Sequence, residues 1–300
     1  MSLKDWIRFI VLGLIWGSSF LWIKMALAET GPFTLVAFRV AFALLGLTVV
    51  VLVQRPSLPP RRVWKVFFLL GLTNIVIPFV LISWSELHIT SGLASILNST
   101  SPLFTILIAS IFLTDERLTP QRVAGLLMGF CGVILLTAKH FSAGERFYLL
   151  GIGGMLLAAL SYAISAVIAR RKLMHLTPDI QAFSQQFASA LVIIPLAAMV
   201  EAPLRLPVTF KAWFALAFLG VMGSCVATML YYSLLKSVGP TRTMLVTYMF
   251  PLVGVLLGLV FLSEPISWRL VAGGCLIVGG ILVVNRRLPR AEQTRRALDI

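Results

Sequence analysis

Pro102-Leu103-Phe104-Thr105-Ile106-Leu107-Ile108-Ala109-Ser110-Ile111-Phe112-Leu113 is written again, 149 residues later, as Pro251-Leu252-Val253-Gly254-Val255-Leu256-Leu257-Gly258-Leu259-Val260-Phe261-Leu262. Five of the twelve positions are identical, and each copy runs on into acids: Asp115-Glu116 in the first, Glu264 in the second. With one residue deleted in the loop, Val123-Ala124-Gly125 falls on Val271-Ala272-Gly273. Working outward, five apolar segments precede residue 145 and five follow it. An odd number of membrane crossings per copy makes the second copy enter the bilayer from the opposite side. Inverted repeats around a shared midplane site are an architecture of secondary transporters. The expected fold is therefore all-α and integral to the membrane: ten transmembrane helices as two inverted five-helix repeats, residues 1–145 and 146–300.

Composition agrees. The chain is 59% hydrophobic and 12% charged, about half the charge of an ordinary soluble domain. Apolar runs near the ~20-residue spanning length fall at about 7–27, 33–53, 63–83, 92–113, 120–138, 149–169, 181–200, 212–232, 240–262 and 267–285. The net charge of +14 is distributed by face. With the N-terminus in the cytoplasm, eighteen Lys and Arg residues lie on the cytoplasmic side, six lie outside, and Arg39 is left inside a span. The positive-inside bias places both termini in the cytoplasm. The basic tail after Asn285 reads as an anchor for anionic lipid rather than nucleic acid. Ala26-Leu27-Ala28 resembles a signal cleavage site, but removing the first span would leave the first repeat incomplete, so it is retained. Cys131, Cys225 and Cys275 all lie inside spans, without metal-ligand spacing, and read as small packing residues.

The membrane interior holds few polar groups, and these tend to mark function. All eleven acids read as lying in loops or at span ends, Glu86 being the nearest to the interior. No catalytic or metal-binding cluster can be assembled, which argues against an intramembrane enzyme. It also argues against ion coupling through a buried carboxylate. Arg39 is the one deep charge. It either snorkels to the outer interface or faces the cavity, paired with a substrate carboxylate or a gating partner. Its mate at offset 146 is Gln185. Pro102 and Pro251 each delete a helix hydrogen bond, freeing the carbonyls of Asn98 and Thr247, and Pro78 frees that of Asn74. Such carbonyls persist at membrane depth where protein or a wet cavity satisfies them. Trp16-Gly17-Ser18-Ser19-Phe20 pairs with Ser161-Tyr162-Ala163 as a polar-aromatic cluster. Tyr231, Tyr232 and Trp84, nearer span ends, read as an interfacial belt. Gly125-x-x-x-Gly129 and Gly254-x-x-x-Gly258 allow close helix approach, within the monomer rather than across a dimer.

Trp16-Gly17-Ser18-Ser19-Phe20 with Lys24, Pro32 with Phe38-Arg39, Pro102 with Phe112-Leu113-x-x-Glu116-x-Leu118-Thr119, and Pro251 with Phe261-Leu262-x-Glu264-x-Ile266-Ser267 together resemble EamA-type members of the drug/metabolite transporter superfamily. The resemblance covers residues 7–287. It implies ten helices, cytoplasmic termini, an inner (plasma) membrane location and export of small metabolites. YddG-like amino-acid exporters are the subgroup it is most similar to. Tyr162 departs from the family's frequent tryptophan, and Gln185 stands where the first copy has Arg39. The expected function is alternating-access export of neutral or aromatic amino acids. Trp16, Asn74, Phe79, Asn98, Thr100, Tyr162, Gln185 and Tyr248 would contact substrate, with Arg39, Pro102 and Pro251 as gating residues. No cofactor or metal is expected, and the partners are a small-molecule substrate and lipid. Export of other metabolites or drugs on the same fold stays open, as does, from a different class, a membrane receptor or enzyme. Without a buried carboxylate the simplest energetics are transport down the substrate gradient.

Overall fold

The computed structural model describes residues 2–56, 59–112, 118–142, 145–173, 176–238, 243 and 245–285. Nine helical stretches among these are long and apolar enough to cross a bilayer: Leu3–Leu27, Pro32–Gln54, Arg61–Glu86, Ser91–Phe112, Pro120–Ala138, Arg146–Lys172, Pro178–Val200, Phe210–Leu234 and Leu245–Leu262. Trp268–Val284 is a shorter apolar helix of about 25 Å at 1.5 Å per residue. These are the first to tenth spans below. Each falls on one of the ten expected segments. The fourth-to-fifth loop, the basic tail, His140 and His175 lie outside the described residues or side chains.

The helix starts are chemically explicit. Ser2 and Asp5 form a reciprocal capping box on the first helix, satisfying two amides that would otherwise lack partners. Pro32 and Pro178 open the second and seventh helices, where a missing N–H costs nothing. The Thr90 hydroxyl caps the fourth.

Large apolar side chains point outward: Leu45, Leu52, Ile111, Leu127, Ile134 and Val260 are all exposed. Buried positions between helices carry small and hydroxyl residues, among them Ser91, Ser95, Ser99, Ser184 and Ser189. This is the packing expected where lipid surrounds the bundle, since helices there associate through close contact and hydrogen bonds rather than water exclusion.

Glycine contacts tie the two halves together reciprocally. Gly273 and Gly280 follow Gly125 and Gly132 by 148 residues. A methyl group at Gly125 would sit 2.6 Å from the Gly280 carbonyl oxygen, and one at Gly132 would sit 2.7 Å from that of Gly273. Gly125 and Gly132 of the fifth span thus each meet the mate of the other in the tenth. The third and eighth spans do likewise. A methyl at Gly71 would lie 3.2 Å from both the Gln185 oxygen and the Ser189 nitrogen, while one at Gly220 would lie 2.8 Å from the Arg39 oxygen and 3.1 Å from the Ala43 nitrogen. Gln185 and Ser189 follow Arg39 and Ala43 by 146 residues. Side chains at these positions would force the backbones apart. Gly254 packs against Ser95, and Gly129 against Leu103, so the small-residue motifs serve contacts within one chain.

Both of these spans widen into π-helix, at Leu72–Val76 directly after Gly71 and at Phe218–Val226 around Gly220. Such wide turns release backbone groups and often occur at functional sites. In the third span the widening immediately precedes Pro78. The fourth span breaks at Ser99-Thr100, between helices Ser91–Asn98 and Ser101–Phe112. The ninth begins as a 3-10 turn, Leu245–Tyr248, before the helix that contains Pro251.

Candidate substrate site

Arg39 turns inward. It is buried, its guanidinium lies 3.8 Å from the centre of the Phe79 ring, and its Nε donates to the Ser224 hydroxyl at 3.0 Å. Of the two readings the sequence left open, snorkelling to the interface does not occur. Ser224 can reach it because the eighth helix is wide there: the Ser224 hydroxyl also donates to Leu219, five residues back. Trp16 holds the same turn, donating through Nε1 to the Gly223 carbonyl at 3.0 Å. Its ring packs against Tyr231 at 5.6 Å and Phe250 at 6.0 Å. Tyr231, partly buried near the end of the eighth span, thus joins an aromatic cluster with Trp16 and Tyr232. Tyr162 and Glu86 are the titratable groups within electrostatic reach of Arg39.

Gln185, the mate of Arg39, makes the corresponding contact in the other half. It accepts from Asn74 Nδ2 at 3.1 Å, and Asn74 sits in the other wide turn, Leu72–Val76. Ser161 and Ser165 of the sixth span reach Thr73 in that turn, one through its carbonyl at 2.6 Å and one through its hydroxyl at 2.8 Å. In both halves a polar side chain of the second helix reaches across to a π-turn of the opposite half.

The proline carbonyls are satisfied by serines of the first copy. Asn98 O accepts from the Ser101 hydroxyl at 2.7 Å, and Thr247 O from the Ser99 hydroxyl at 3.4 Å. Thr100, expected to face substrate, is fully buried and donates to Leu97 O; its hydroxyl serves the break in the helix. Asn98 keeps a buried Oδ1 without a hydrogen-bond partner among the described residues, and a buried acceptor of this kind is costly unless something fills it. Trp16, Phe79, Tyr162 and Tyr248 are partly buried and pack against one core.

Two features escaped the sequence reading. Glu86 is fully buried, which corrects the expectation that no acid enters the interior. The helix end that carries it is covered by Lys24, whose Nζ donates to the carbonyls of Glu86 and, at 2.9 Å, Ile89. A second feature lies on the face away from the N-terminus, where three carboxylates each cap a helix of another part of the chain. Glu201 accepts from the amides of Phe33 and Thr34 at 2.9 Å and from the Thr34 hydroxyl at 2.6 Å. Glu264 accepts from the amides of Ser91 and Gly92 at 2.7 and 3.0 Å and from the Ser91 hydroxyl. Glu29 accepts from the amides of Val208 and Thr209 and from the Thr209 hydroxyl, which holds its carboxyl below the ordinary glutamate range. Negative charge at a helix N-terminus is favourable, so these contacts clamp separate parts of the chain to one another on that face. The recurrence of a Ser or Thr beside each capped amide was the only signal the sequence offered.

Residues 6–138 and 149–286 each match the EamA-like transporter family. The chain belongs to that family. It is a multi-pass membrane transporter by family, and its relatives are named accordingly. An uncharacterised transporter of Archaeoglobus fulgidus is 27% identical over 95% of this chain and 100% of its own length. A probable terminal-alkyne amino-acid exporter of Streptantibioticus cattleyicolor is 25% identical over 91% of this chain and 90% of its own. The uncharacterised inner membrane transporter YedA of Escherichia coli K12 is 26% identical over 90% and 87%. A solved crystal structure covering all of both chains has the same fold, with a TM-score of 0.67 at 23% identity.

Proposed function

We propose that this EamA-type transporter exports neutral amino acids, aromatic ones in particular, by alternating access between two inverted halves, residues 1–145 and 146–300. The observation that carries the reading is Arg39: a buried guanidinium flanked by Phe79, with Tyr162 within electrostatic reach. Its planar fork matches a carboxylate, and the aromatic rings offer area to an apolar side chain. Trp16, Asn74, Asn98, Gln185 and Tyr248 supply further area and hydrogen bonds, while Thr100 shapes the break. The amino-acid exporter among the relatives supports the substrate class. The reciprocal glycine contacts and the paired π-turns support the inverted halves. In the exchange of access, Pro102 and Pro251 mark where the fourth and ninth helices bend, and Arg39 links the second helix to the eighth. The charge distribution supports cytoplasmic termini, which puts the clamped face outside. The protein acts as a monomer in an inner or plasma membrane and carries no catalytic role.

Counterflow in proteoliposomes tests the substrate class. Vesicles preloaded with unlabelled phenylalanine should take up labelled phenylalanine transiently above equilibrium, and Arg39→Ala should abolish the overshoot. Absence of counterflow with phenylalanine, leucine and methionine alike contradicts the reading.

A further inference from the structure

Glu86 lies within electrostatic reach of Arg39 but makes no hydrogen bond in the Arg39 site among the described residues. Phe79, which lies under Arg39, is seven residues earlier, about 10 Å along the helix. The Glu86 side chain is fully buried, and neither carboxyl oxygen has a hydrogen-bond partner among the described residues. The Ser83 and Ser85 hydroxyls beside it are buried and unpartnered as well. Three charged groups act on it: Lys24 from the first span, Glu264 from beyond the ninth, and Arg39 from the second. The sixth span, which packs along the third, carries Tyr148 and Tyr162, with Glu145 and Arg146 at its start, and His88 follows on Glu86's own chain.

Lys24 is close, yet its ammonium donates to the carbonyls of Glu86 and Ile89 rather than to the carboxyl. There it complements the C-terminal end of the helix dipole. An ionised carboxylate buried without a partner is strongly disfavoured, whereas the neutral acid is tolerated. Glu264, clamped on the Ser91 and Gly92 amides, adds a like charge nearby. The burial of the carboxyl without a partner in this arrangement suits a protonated Glu86.

We propose that Glu86 is a proton-binding site whose loading closes the face clamped by Glu264, and whose ionisation, with Lys24 turning to the carboxylate, opens it. Loading is a plain proton transfer. A hydronium ion gives up a proton, an O–H bond forms on Glu86, and water leaves. No redox partner is needed. The earlier expectation of uncoupled transport gives way to a proton-linked conformational step. This inference rests on the alternating-access reading but not on the substrate.

Spin labels at Leu87 and Ser267, both exposed, report the opening of that face in the full chain in lipid nanodiscs. Between about pH 5 and about pH 9, the wild-type ratio of closed to open distances should rise about tenfold per unit of falling pH in the window where one proton is taken up. Glu86→Gln, a permanent neutral mimic, should stay closed throughout, and Glu86→Asp should keep the pH response with a moved midpoint. A Glu86→Gln protein that follows pH like wild type overturns the proposal, as does a wild-type distance that does not move. If Glu86→Gln does not accumulate, identical wild-type and Glu86→Asp midpoints overturn it. The distances are read without flux, so a failed counterflow assay would count against the substrate and leave this result intact.

Discussion

The guanidinium of Arg39 covers the ring of Phe79 at 3.8 Å while its Nε holds Ser224 at 3.0 Å. One side chain of the second span thereby joins the third span of its own half to the wide turn of the other half. A desolvated cation over an aromatic face contributes about 2 kcal/mol. Arg39→Lys should not substitute, because a compact ammonium cannot stack and bridge at once. Transport by Arg39→Lys is expected to fall at least about tenfold, the equivalent of ~1.4 kcal/mol. Initial-rate measurements at equal protein abundance check this.

Gly125 and Gly280 meet backbone to backbone. Leucine at either position must separate the fifth and tenth spans, and overpacking of this kind costs about 1–3 kcal/mol or more. Gly280→Leu should reduce the yield of monodisperse protein in detergent several-fold. Gly153, with nothing within 4 Å of its would-be Cβ, is the control. Gly153→Ala should match or slightly exceed wild type, since Ala is favoured over Gly in a helix by about 1 kcal/mol.

The Glu29 clamp should respond to acid. Hydrogen bonds from Thr209 and Val208 favour the ionised carboxylate and lower its pKa. A depressed pKa means that the clamp's contribution is fully present above the ordinary glutamate value and is lost as pH falls through the lowered one. Amide exchange at Val208 and Thr209, corrected for intrinsic rates, should therefore accelerate on acidification in wild type. In Glu29→Gln it should be faster already at neutral pH and show no such step.

The periodic features were legible in the sequence, and the depth of individual groups was not. Ten spans, the mate relation of Arg39 and Gln185 and the paired prolines follow from apolar length and internal repetition. The direction of Arg39 did not follow, because an arginine six residues from a helix end can reach either solvent or the core; the wide turn that presents Ser224 decides it, and a π-turn leaves no mark in an apolar sequence. Thr100 looked like a lining residue because it is polar at a kink, yet its hydroxyl answers its own backbone. Glu86 was hidden by its place at the end of a span. The packing that buries it comes from distant parts of the chain, the sixth span above all, and its backbone carbonyl answers Lys24, sixty-two residues away.

Removing Asn98's amide should separate a substrate role from a packing role. Its Oδ1 is buried and has no partner among the described residues, so Asn98→Ala removes an orphaned acceptor and should leave thermal stability unchanged or raised. If the group answers substrate, Km for phenylalanine should rise several-fold with kcat little changed. A lowered melting temperature with unchanged Km would assign Asn98 to packing alone.

The central claim is that two inverted halves exchange access through their paired kinks, and accessibility in the proline variants tests it most directly. Pro102→Ala and Pro251→Ala each restore a backbone donor in the first turn after a break, at the second residue of Ser101–Phe112 and the third of Met249–Leu262, and so let a different helix run on through its break. States that interconvert differ by only a few kcal/mol, so each variant should favour one of them. Single cysteines placed on the two faces, labelled in right-side-out and inside-out vesicles, should show one variant trapped open to one side and the other variant open to the opposite side, both at wild-type abundance and both transporting poorly. Wild-type rates with unchanged accessibility in both variants, or trapping on the same side in both, would contradict the account.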